Sequence, residues 1–110
     1  MRTARRRAGS SGDALPDAAG IDARVARIVA RIRAIPPGFV RTYGDIDPHA
    51  PRLVGRVLAT THDDLPWHRV VRADGSLTQG RRQRALLLEE GIPMRGDRVY
   101  LRVARLLIAP

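Results

Sequence analysis

Proline and glycine divide this chain into short segments, which limits the length of every helix it can form. Apolar residues recur at helical spacing between Val25 and Ile35, and Pro36-Pro37-Gly38 follows them directly. Proline lacks a backbone N–H and restricts the residue before it, so the first helix is expected to end there. Asp22 is the expected N-cap, because its carboxylate can accept hydrogen bonds from free backbone N–H groups.

Residues 39–61 predict two short helices joined by a tight turn. Phe39-Val40 is expected to be a short strand or extended segment, and a helical turn over 42–46 breaks before Pro48. A second helix is expected from Pro51, since the missing N–H of proline costs nothing in the first turn. Two short helices with such a turn favour a helix-turn-helix.

The C-terminal half predicts a β-hairpin, a third long helix and a last strand. Val70-Val71 and residues 76–78 flank Asp74-Gly75, a dipeptide typical of tight hairpin turns. Residues 81–91 have the pattern of a helix that ends at its final glycine, and apolar residues alternate from 98 to 103 as in a strand. The predicted fold class is mainly α with a small β-hairpin wing, a winged helix-turn-helix.

Length and composition indicate one small domain behind a polar tail. Of the 110 residues, 44% are hydrophobic, enough for one modest core. Residues 1–20 are rich in Arg, Ala, Gly and Ser and lack an apolar period, so a disordered basic tail is expected, with the domain over 21–110. No apolar run is long enough to span a membrane. We expect a cytoplasmic, nucleoid-associated monomer.

The charge balance favours a polyanionic partner. The formal net charge is +9, and all twenty basic residues are arginine. A planar guanidinium forms paired hydrogen bonds with phosphate, so nucleic acid is the favoured partner and an inert basic surface the alternative. Arg24, Arg27 and Arg31 share one face of the first helix, and a solvated face is their simplest interpretation.

Several segments occur in the order found in one known family. They are IPPGFVRTYGDI (35–46), PRLVGRVL (51–58), LPWHRVVRADGSL (65–77) and LLLEEGIP (86–93). Together they resemble the C-terminal DNA-binding domain of O6-alkylguanine-DNA alkyltransferases, whose Pro-Cys-His-Arg motif carries the cysteine that takes the alkyl group. This chain has Pro66-Trp67-His68-Arg69 at that place. Tryptophan there is typical of alkyltransferase-like proteins, which bind the same lesions without repairing them. The resemblance implies the same for this chain.

Residue types exclude alkyl transfer by the route of the repair enzymes. That reaction needs a thiolate activated by a neighbouring base, and the chain contains no cysteine. The indole nitrogen of Trp67 is only a hydrogen-bond donor, so it is no comparable nucleophile. We therefore expect a protein that is not an enzyme. His49, His62 and His68 lack the spacing of a metal site, and no cofactor is expected.

The resemblance implies DNA contacts for residues of the helix-turn-helix. Arg52 matches the arginine that enters the base stack in place of a flipped nucleotide. Tyr43 matches the tyrosine that turns the nucleotide outward and walls the pocket, and Thr42 matches a hydroxyl that contacts phosphate. Gly55 would allow close approach of the helix to the DNA backbone or to the core. The resemblance also implies that this helix enters the minor groove, so binding should depend little on base sequence.

Other positions match the pocket of the flipped base. Trp67 stands where the alkyl group would point, and it either contacts the adduct by stacking or plugs the vacant site. Val70 matches a position whose backbone carbonyl accepts a hydrogen bond from the guanine amino group. Arg81 and Arg82 both fit the extra arginine that holds the base in alkyltransferase-like proteins, and spacing does not decide between them.

His68 and Glu90 match the pair that activates the cysteine of the repair enzymes. Without a thiol they have nothing to deprotonate. We expect them to form a hydrogen-bond network with Arg69 that fixes the loop of Trp67. The segments DIDPHAP (45–51) and ATTHDDL (59–65) are shorter than in the family, so the helix-turn-helix should be cut short.

Three functional hypotheses follow. The resemblance implies a damage-recognition protein that binds O6-alkylguanine in double-stranded DNA, flips it and recruits nucleotide excision repair proteins. The second hypothesis is a winged-helix DNA-binding protein or regulator that does not distinguish lesions. The third is an enzyme of another kind with His68 and Glu90 as acid and base, for which the sequence suggests no substrate.

Overall fold

The first helix starts earlier than the sequence pattern predicts. The computed structural model describes residues 18–61 and 64–107. The first 17 residues of the expected tail therefore lie outside the described residues. Helix α1 spans Ala18–Arg33. The predicted N-cap at Asp22 is therefore wrong, because Asp22 lies inside α1, whereas the division into a tail and a domain stays a prediction. The two alanines before Gly20 have the highest helix propensity, and this extends the helix past Asp22 towards the N-terminus.

The remaining elements are short. No helix among the described residues is both long enough and apolar enough to cross a membrane. In chain order the elements are β1 (Arg41–Thr42), α2 (Tyr43–Ile46), α3 (Pro51–Thr61), a 3₁₀ turn (Trp67–Arg69), β2 (Val70–Val71), α4 (Gly80–Glu89), β3 (Met94–Arg95), β4 (Arg98–Val99) and α5 (Leu101–Ala104).

Helices α2 and α3 form the helix-turn-helix. The Asp45 N–H donates to the Thr42 hydroxyl at 3.1 Å, and the Thr42 N–H donates to the Asp45 carboxylate, also at 3.1 Å. This reciprocal capping box stabilises a single helical turn that would not persist alone. In the turn that follows, the Asp47 side chain accepts a hydrogen bond from the His49 N–H at 3.0 Å. Helix α3 then begins at Pro51, as predicted.

Strand β2 lies between two apolar clusters. Val70 and Val71 are both fully buried but belong to different clusters, because successive residues of a strand point to opposite faces. The larger cluster joins the first three helices to the segment before β2 and contains Ile28, Ile32, Ile35, Ile46, Val54, Val57, Leu58, Leu65 and Val70. The smaller one lies towards α4 and α5 and contains Val40, Val71, Leu87, Ile92, Val99 and Ala104.

The β-hairpin is not where the sequence pattern predicts it. The tight turn forms, because the Gly75 N–H donates to the Arg72 carbonyl at 2.8 Å and Gly75 adopts φ +85°. However, Val70-Val71 pairs in parallel with β1, and Ser76 bridges Arg98. A strand buried on both faces fits a covered parallel pair better than an exposed hairpin. The antiparallel hairpin of the structure is β3–β4.

The predicted last strand is partly wrong as well. Strand β4 ends at Val99, and the chain then forms helix α5. Leu101 and Ala104, at helical spacing, pack against the smaller cluster, whereas Val103 is 61% exposed. The alternation of apolar residues from 98 to 103 therefore matched a strand only by coincidence. The predicted end of the preceding helix is confirmed, since α4 is followed by Gly91 at φ +76°.

Replacing Gly75 with alanine should destabilise the fold. A Cβ atom at this position would lie 2.6 Å from the Val99 carbonyl oxygen, on a backbone with φ +85°. We expect the free energy of unfolding to fall by more than about 2 kcal/mol, measured by urea denaturation. Gly96→Ala is the control, since Gly96 has φ +61° but no atom within 4 Å of its Cβ position. Equal losses in the two variants would contradict this account.

Candidate nucleic-acid interface

A cavity of about 420 Å³ opens where the helix-turn-helix meets the 3₁₀ turn and the start of α4. Its volume lies within the range of about 300–1,000 Å³ typical of small-molecule sites. Two aromatic rings, one arginine and two hydrogen-bonding side chains face an otherwise apolar wall. The lining residues are Tyr43, Gly55, Leu58, Ala59, Trp67, Thr78, Gln79 and Arg82.

Trp67 forms one wall of this open cavity. Its ring lies 5.1 Å from the guanidinium carbon of Arg82, within cation–π distance. On another side it meets the His68 ring in a T-shaped contact, with centroids 6.0 Å apart. The indole lines this space and leaves it open.

The structure separates the two arginines at the start of α4. Arg82 lines the cavity, whereas Arg81 is exposed and forms no hydrogen bond or ion pair with the described residues. Neighbouring helix residues differ in direction by about 100°, so only one of the two can face the pocket. Of the two arginines it is therefore Arg82 that lines the cavity, which spacing alone did not decide.

Tyr43 enters the cavity from the first residue of α2. Its hydroxyl donates a hydrogen bond to Thr78 Oγ1 at 3.2 Å, and its ring packs against the larger apolar cluster. Thr42, directly before it, is only 4% exposed and uses its hydroxyl to cap α2. Thr42 thus acts as a helix cap, and we leave it out of the residues proposed to contact phosphate.

Arg52 and Gly55 share an exposed face of α3, next to the cavity. Arg52 forms no hydrogen bond or ion pair with residues in the described part of the chain. A Cβ atom at Gly55 would meet nothing within 4 Å, so core packing does not require glycine there. Close approach of DNA to Gly55 stays a prediction. Arg56 lies four residues after Arg52, on the same face, and this spacing is the sequence signal that indicates it as a further exposed arginine of α3.

His68, Arg69 and Glu90 come together in one network beside the cavity. Glu90 Oε2 lies 2.6 Å from His68 Nε2 and accepts a hydrogen bond from Arg69 Nη2 at 2.8 Å. Glu90 Oε1 accepts the Gly38 N–H at 3.3 Å, and Arg69 Nη1 donates to the Ile35 carbonyl at 2.8 Å. The network therefore connects the end of α4, the 3₁₀ turn and the segment after α1.

The same hydrogen bonds keep Glu90 ionised. Partial burial works against the charged carboxylate and would raise its pKa. Hydrogen bonds from Arg69, His68 and the Gly38 N–H outweigh this effect and lower the pKa of Glu90 from 4.5 to about 2. At neutral pH the group is a carboxylate that accepts hydrogen bonds and has no proton to give.

Gln83 is a fully buried polar residue that the sequence analysis missed. Its side-chain amide donates to the carbonyls of His68 at 3.1 Å and Val70 at 2.9 Å. Its oxygen accepts the Gln79 N–H at 3.1 Å. The Val70 carbonyl, matched above to a guanine contact, therefore already accepts one bond and retains one lone pair. The available signal was a glutamine four residues before Leu87, on the apolar face of α4.

The arginines on α1 are more than a solvated face. Arg31 Nη1 donates to the Ile46 carbonyl at 2.8 Å, and Arg24 Nε lies 3.6 Å from Asp47 Oδ2. The earlier interpretation is incomplete for these two residues, which brace the C-terminal end of α2.

Within residues 18–61 and 64–107, no group of three or more His, Asp or Glu side chains is placed to hold a metal ion.

A helix-turn-helix beside a cavity of this size defines a nucleic-acid-binding domain with a pocket. Residues 23–92 match the DNA-binding domain of 6-O-methylguanine DNA methyltransferase, and the chain belongs to this family. A DNA base-flipping protein of Escherichia coli is 44% identical over 85 residues, covering 67% of this chain and 64% of the relative. The chain thus spans less than two thirds of that protein. A DNA base-flipping protein of Vibrio parahaemolyticus is 37% identical over 83 residues, covering 66% of this chain and 83% of the relative.

Solved structures agree with this assignment. The structure of Schizosaccharomyces pombe Atl1 with damaged DNA containing O6-carboxymethylguanine matches with a TM-score of 0.66 and 25% identity, covering 79% of this chain and 97% of Atl1. The likeness confirms the mainly helical helix-turn-helix fold with a small sheet. Together with the family match, it places the chain among the alkyltransferase-like proteins, as its Trp67 predicted.

The stability provided by Glu90 should disappear in acid. Because the pKa of Glu90 is lowered on folding to about 2, its contribution is complete above pH 4.5 and is lost as the pH falls towards 2. At neutral pH we expect Glu90→Gln to lower the free energy of unfolding by about 3 kcal/mol. That deficit relative to wild type should shrink between pH 4.5 and 2.

Glu89→Gln is the matched control for this prediction. Glu89 is the exposed neighbour and forms no hydrogen bond or ion pair with the described residues. Chemical denaturation at a series of pH values should show no comparable change for the control. A deficit of Glu90→Gln that stays constant from pH 7 to pH 2 would contradict the assigned network.

Proposed function

We propose that this chain recognises O6-alkylguanine in duplex DNA by turning the damaged nucleotide into the cavity between Tyr43, Trp67 and Arg82. The observation that carries this proposal is an open, aromatic-walled cavity directly beside the exposed face of α3. Flipping costs a few kcal/mol, and less for a base that pairs poorly. The similarity to Atl1, whose structure contains O6-carboxymethylguanine DNA, supports the choice of lesion.

The proposed roles follow the placement of each side chain. Helix α3 lies in the minor groove, and Arg52 enters the base stack, where its flat guanidinium fills the gap and bonds the orphaned base. Tyr43, the first residue of α2, turns the nucleotide outward. Trp67 and Arg82, already in contact at 5.1 Å, form the wall against which the flipped base and its adduct pack.

We also propose that the chain binds the lesion without transferring its alkyl group. The chain has no thiol, and the carboxylate of Glu90 is engaged by His68 and Arg69. Binding is then reversible, and the protein marks a lesion that other proteins remove. Recruitment of nucleotide excision repair proteins, which the family resemblance implies, and location at the nucleoid belong to the same proposal.

The test is binding to two duplexes that differ only by O6-methylation of one guanine, at fixed salt. We expect tighter binding to the methylated duplex. Trp67 is the only tryptophan of the chain, so its fluorescence reports on the cavity alone, and it should change with the lesion. Equal affinities for both duplexes would favour the lesion-independent DNA-binding protein. An unchanged fluorescence on lesion binding would favour Trp67 as a plug.

Arg52→Ala should reduce lesion preference more than it reduces affinity for undamaged DNA. The reason is that a residue in the base stack stabilises only the flipped state. Arg56→Ala is the matched control, because Arg56 lies one turn further on the same face. Its loss should weaken binding to both duplexes equally and lower the salt slope by about 1. If Arg52→Ala behaves like this control, Arg52 is only a phosphate contact.

A further inference from the structure

The short helix that carries Tyr43 is held by arginines from three separate parts of the chain. A helix of four residues has no stability of its own, so its position depends on what surrounds it. Four guanidinium groups hydrogen-bond or form ion pairs with α2 or the residue after it. They belong to Arg24 and Arg31 of α1, Arg41 of β1 and Arg105, which follows α5.

The contact of Arg105 is the most specific of the four. Its Nη2 donates to Asp45 Oδ1 at 2.6 Å and its Nε donates to Asp45 Oδ2 at 2.9 Å, which is a bidentate pair. Oδ2 is also the atom that accepts the Thr42 N–H in the capping box. The hydrogen bonds of Arg105 keep the pKa of Asp45 below its usual value, so the carboxylate stays charged. Arg105 thus fixes the orientation of the group that caps α2.

The backbone fixes Arg105 in this place. The Val40 N–H donates to the Ala104 carbonyl at 2.9 Å, and the Leu106 N–H donates to the Val40 carbonyl at 2.8 Å. Residues 104–106 therefore run in parallel beside the residue that precedes β1. This pairing brings the Arg105 side chain to Asp45 of α2, which lies 60 positions earlier in the chain.

We propose that Arg105 is a positioning residue for Tyr43, and that the C-terminal segment thereby sets how well the protein distinguishes a lesion from undamaged DNA. This inference rests on the proposed function. Without the bidentate pair, the Asp45 carboxylate can rotate away from the Thr42 N–H, and the first turn of α2 loosens. The Tyr43 ring then loses its fixed position, and small misplacements of such groups have large effects on function.

Arg105→Gln tests the proposal, with Arg102→Gln as the matched control. Arg102 lies on α5, is exposed and forms no hydrogen bond or ion pair with the described residues. We expect the ratio of affinities for O6-methylated and undamaged duplexes to fall by about fivefold or more in Arg105→Gln. In Arg102→Gln the ratio should stay at the wild-type value. A phosphate contact would instead weaken both duplexes equally and lower the salt slope, and that result would overturn the proposal.

Asp45→Asn tests the same ion pair by changing the partner of Arg105. Asparagine keeps a side-chain oxygen for the cap but removes the charge that holds Arg105. The double variant combines Asp45→Asn with Arg105→Gln. If the two residues act as a unit, its ratio of affinities for methylated and undamaged duplexes is no lower than the lower ratio of the two single variants. Fully additive losses would contradict the pairing. Should Arg105→Gln fail to fold, Arg105→Lys keeps a charge and one hydrogen bond and should show a smaller loss of the same kind.

A second measurement does not depend on lesion binding. Tyr43 and Tyr100 are the only tyrosines, so fluorotyrosine labelling gives two fluorine resonances, which Tyr43→Phe assigns. In Arg105→Gln the Tyr43 resonance should broaden or shift, and in Arg102→Gln it should not. An unchanged Tyr43 resonance in Arg105→Gln would overturn the positioning role. If wild type shows no lesion preference, the proposed function fails, while the fluorine measurement still decides the role of Arg105.

Discussion

The carboxylate of Glu90 holds together the parts of the chain that form the cavity. It accepts hydrogen bonds from Arg69 and from the Gly38 N–H, and it lies 2.6 Å from His68 Nε2. These contacts fix the 3₁₀ turn against the segment after α1, and the turn places Trp67 in the cavity wall. In this protein the network has a structural task, since the residue beside it is an indole that needs no activation.

Arginine serves two purposes in this protein, and net charge alone does not distinguish them. Arg31, Arg41 and Arg69 donate to backbone carbonyls of neighbouring segments, at 2.8, 2.7 and 2.8 Å. A guanidinium can do this because it carries five donors and remains charged when partly buried. Arg52 and Arg56, by contrast, are exposed on α3, and their side chains form no hydrogen bond or ion pair with the described residues. Part of the positive charge therefore belongs to arginines that stabilise very short elements.

Under the proposed function, the cavity also explains how a chain without the nucleophile of the repair enzymes can bind a lesion. Trp67 stands where the repair enzymes have a small reactive residue, yet the space beside it stays open, and Arg82 and His68 contact the indole. Tyr43 completes the opposite wall. Under the proposed function, such a pocket offers stacking and cation–π contacts to a flipped base and holds it without forming a bond.

The amino-acid sequence by itself determined the helical segments other than α5, the helix-turn-helix and the absence of a thiol. It did so because helical periodicity, proline positions and residue type are local properties. Tertiary structure alone decided that Val70-Val71 pairs in parallel with β1, that Arg82 and not Arg81 faces the cavity, and that Arg105 reaches Asp45. These outcomes depend on which distant segments share a buried face, and no local pattern contains that information.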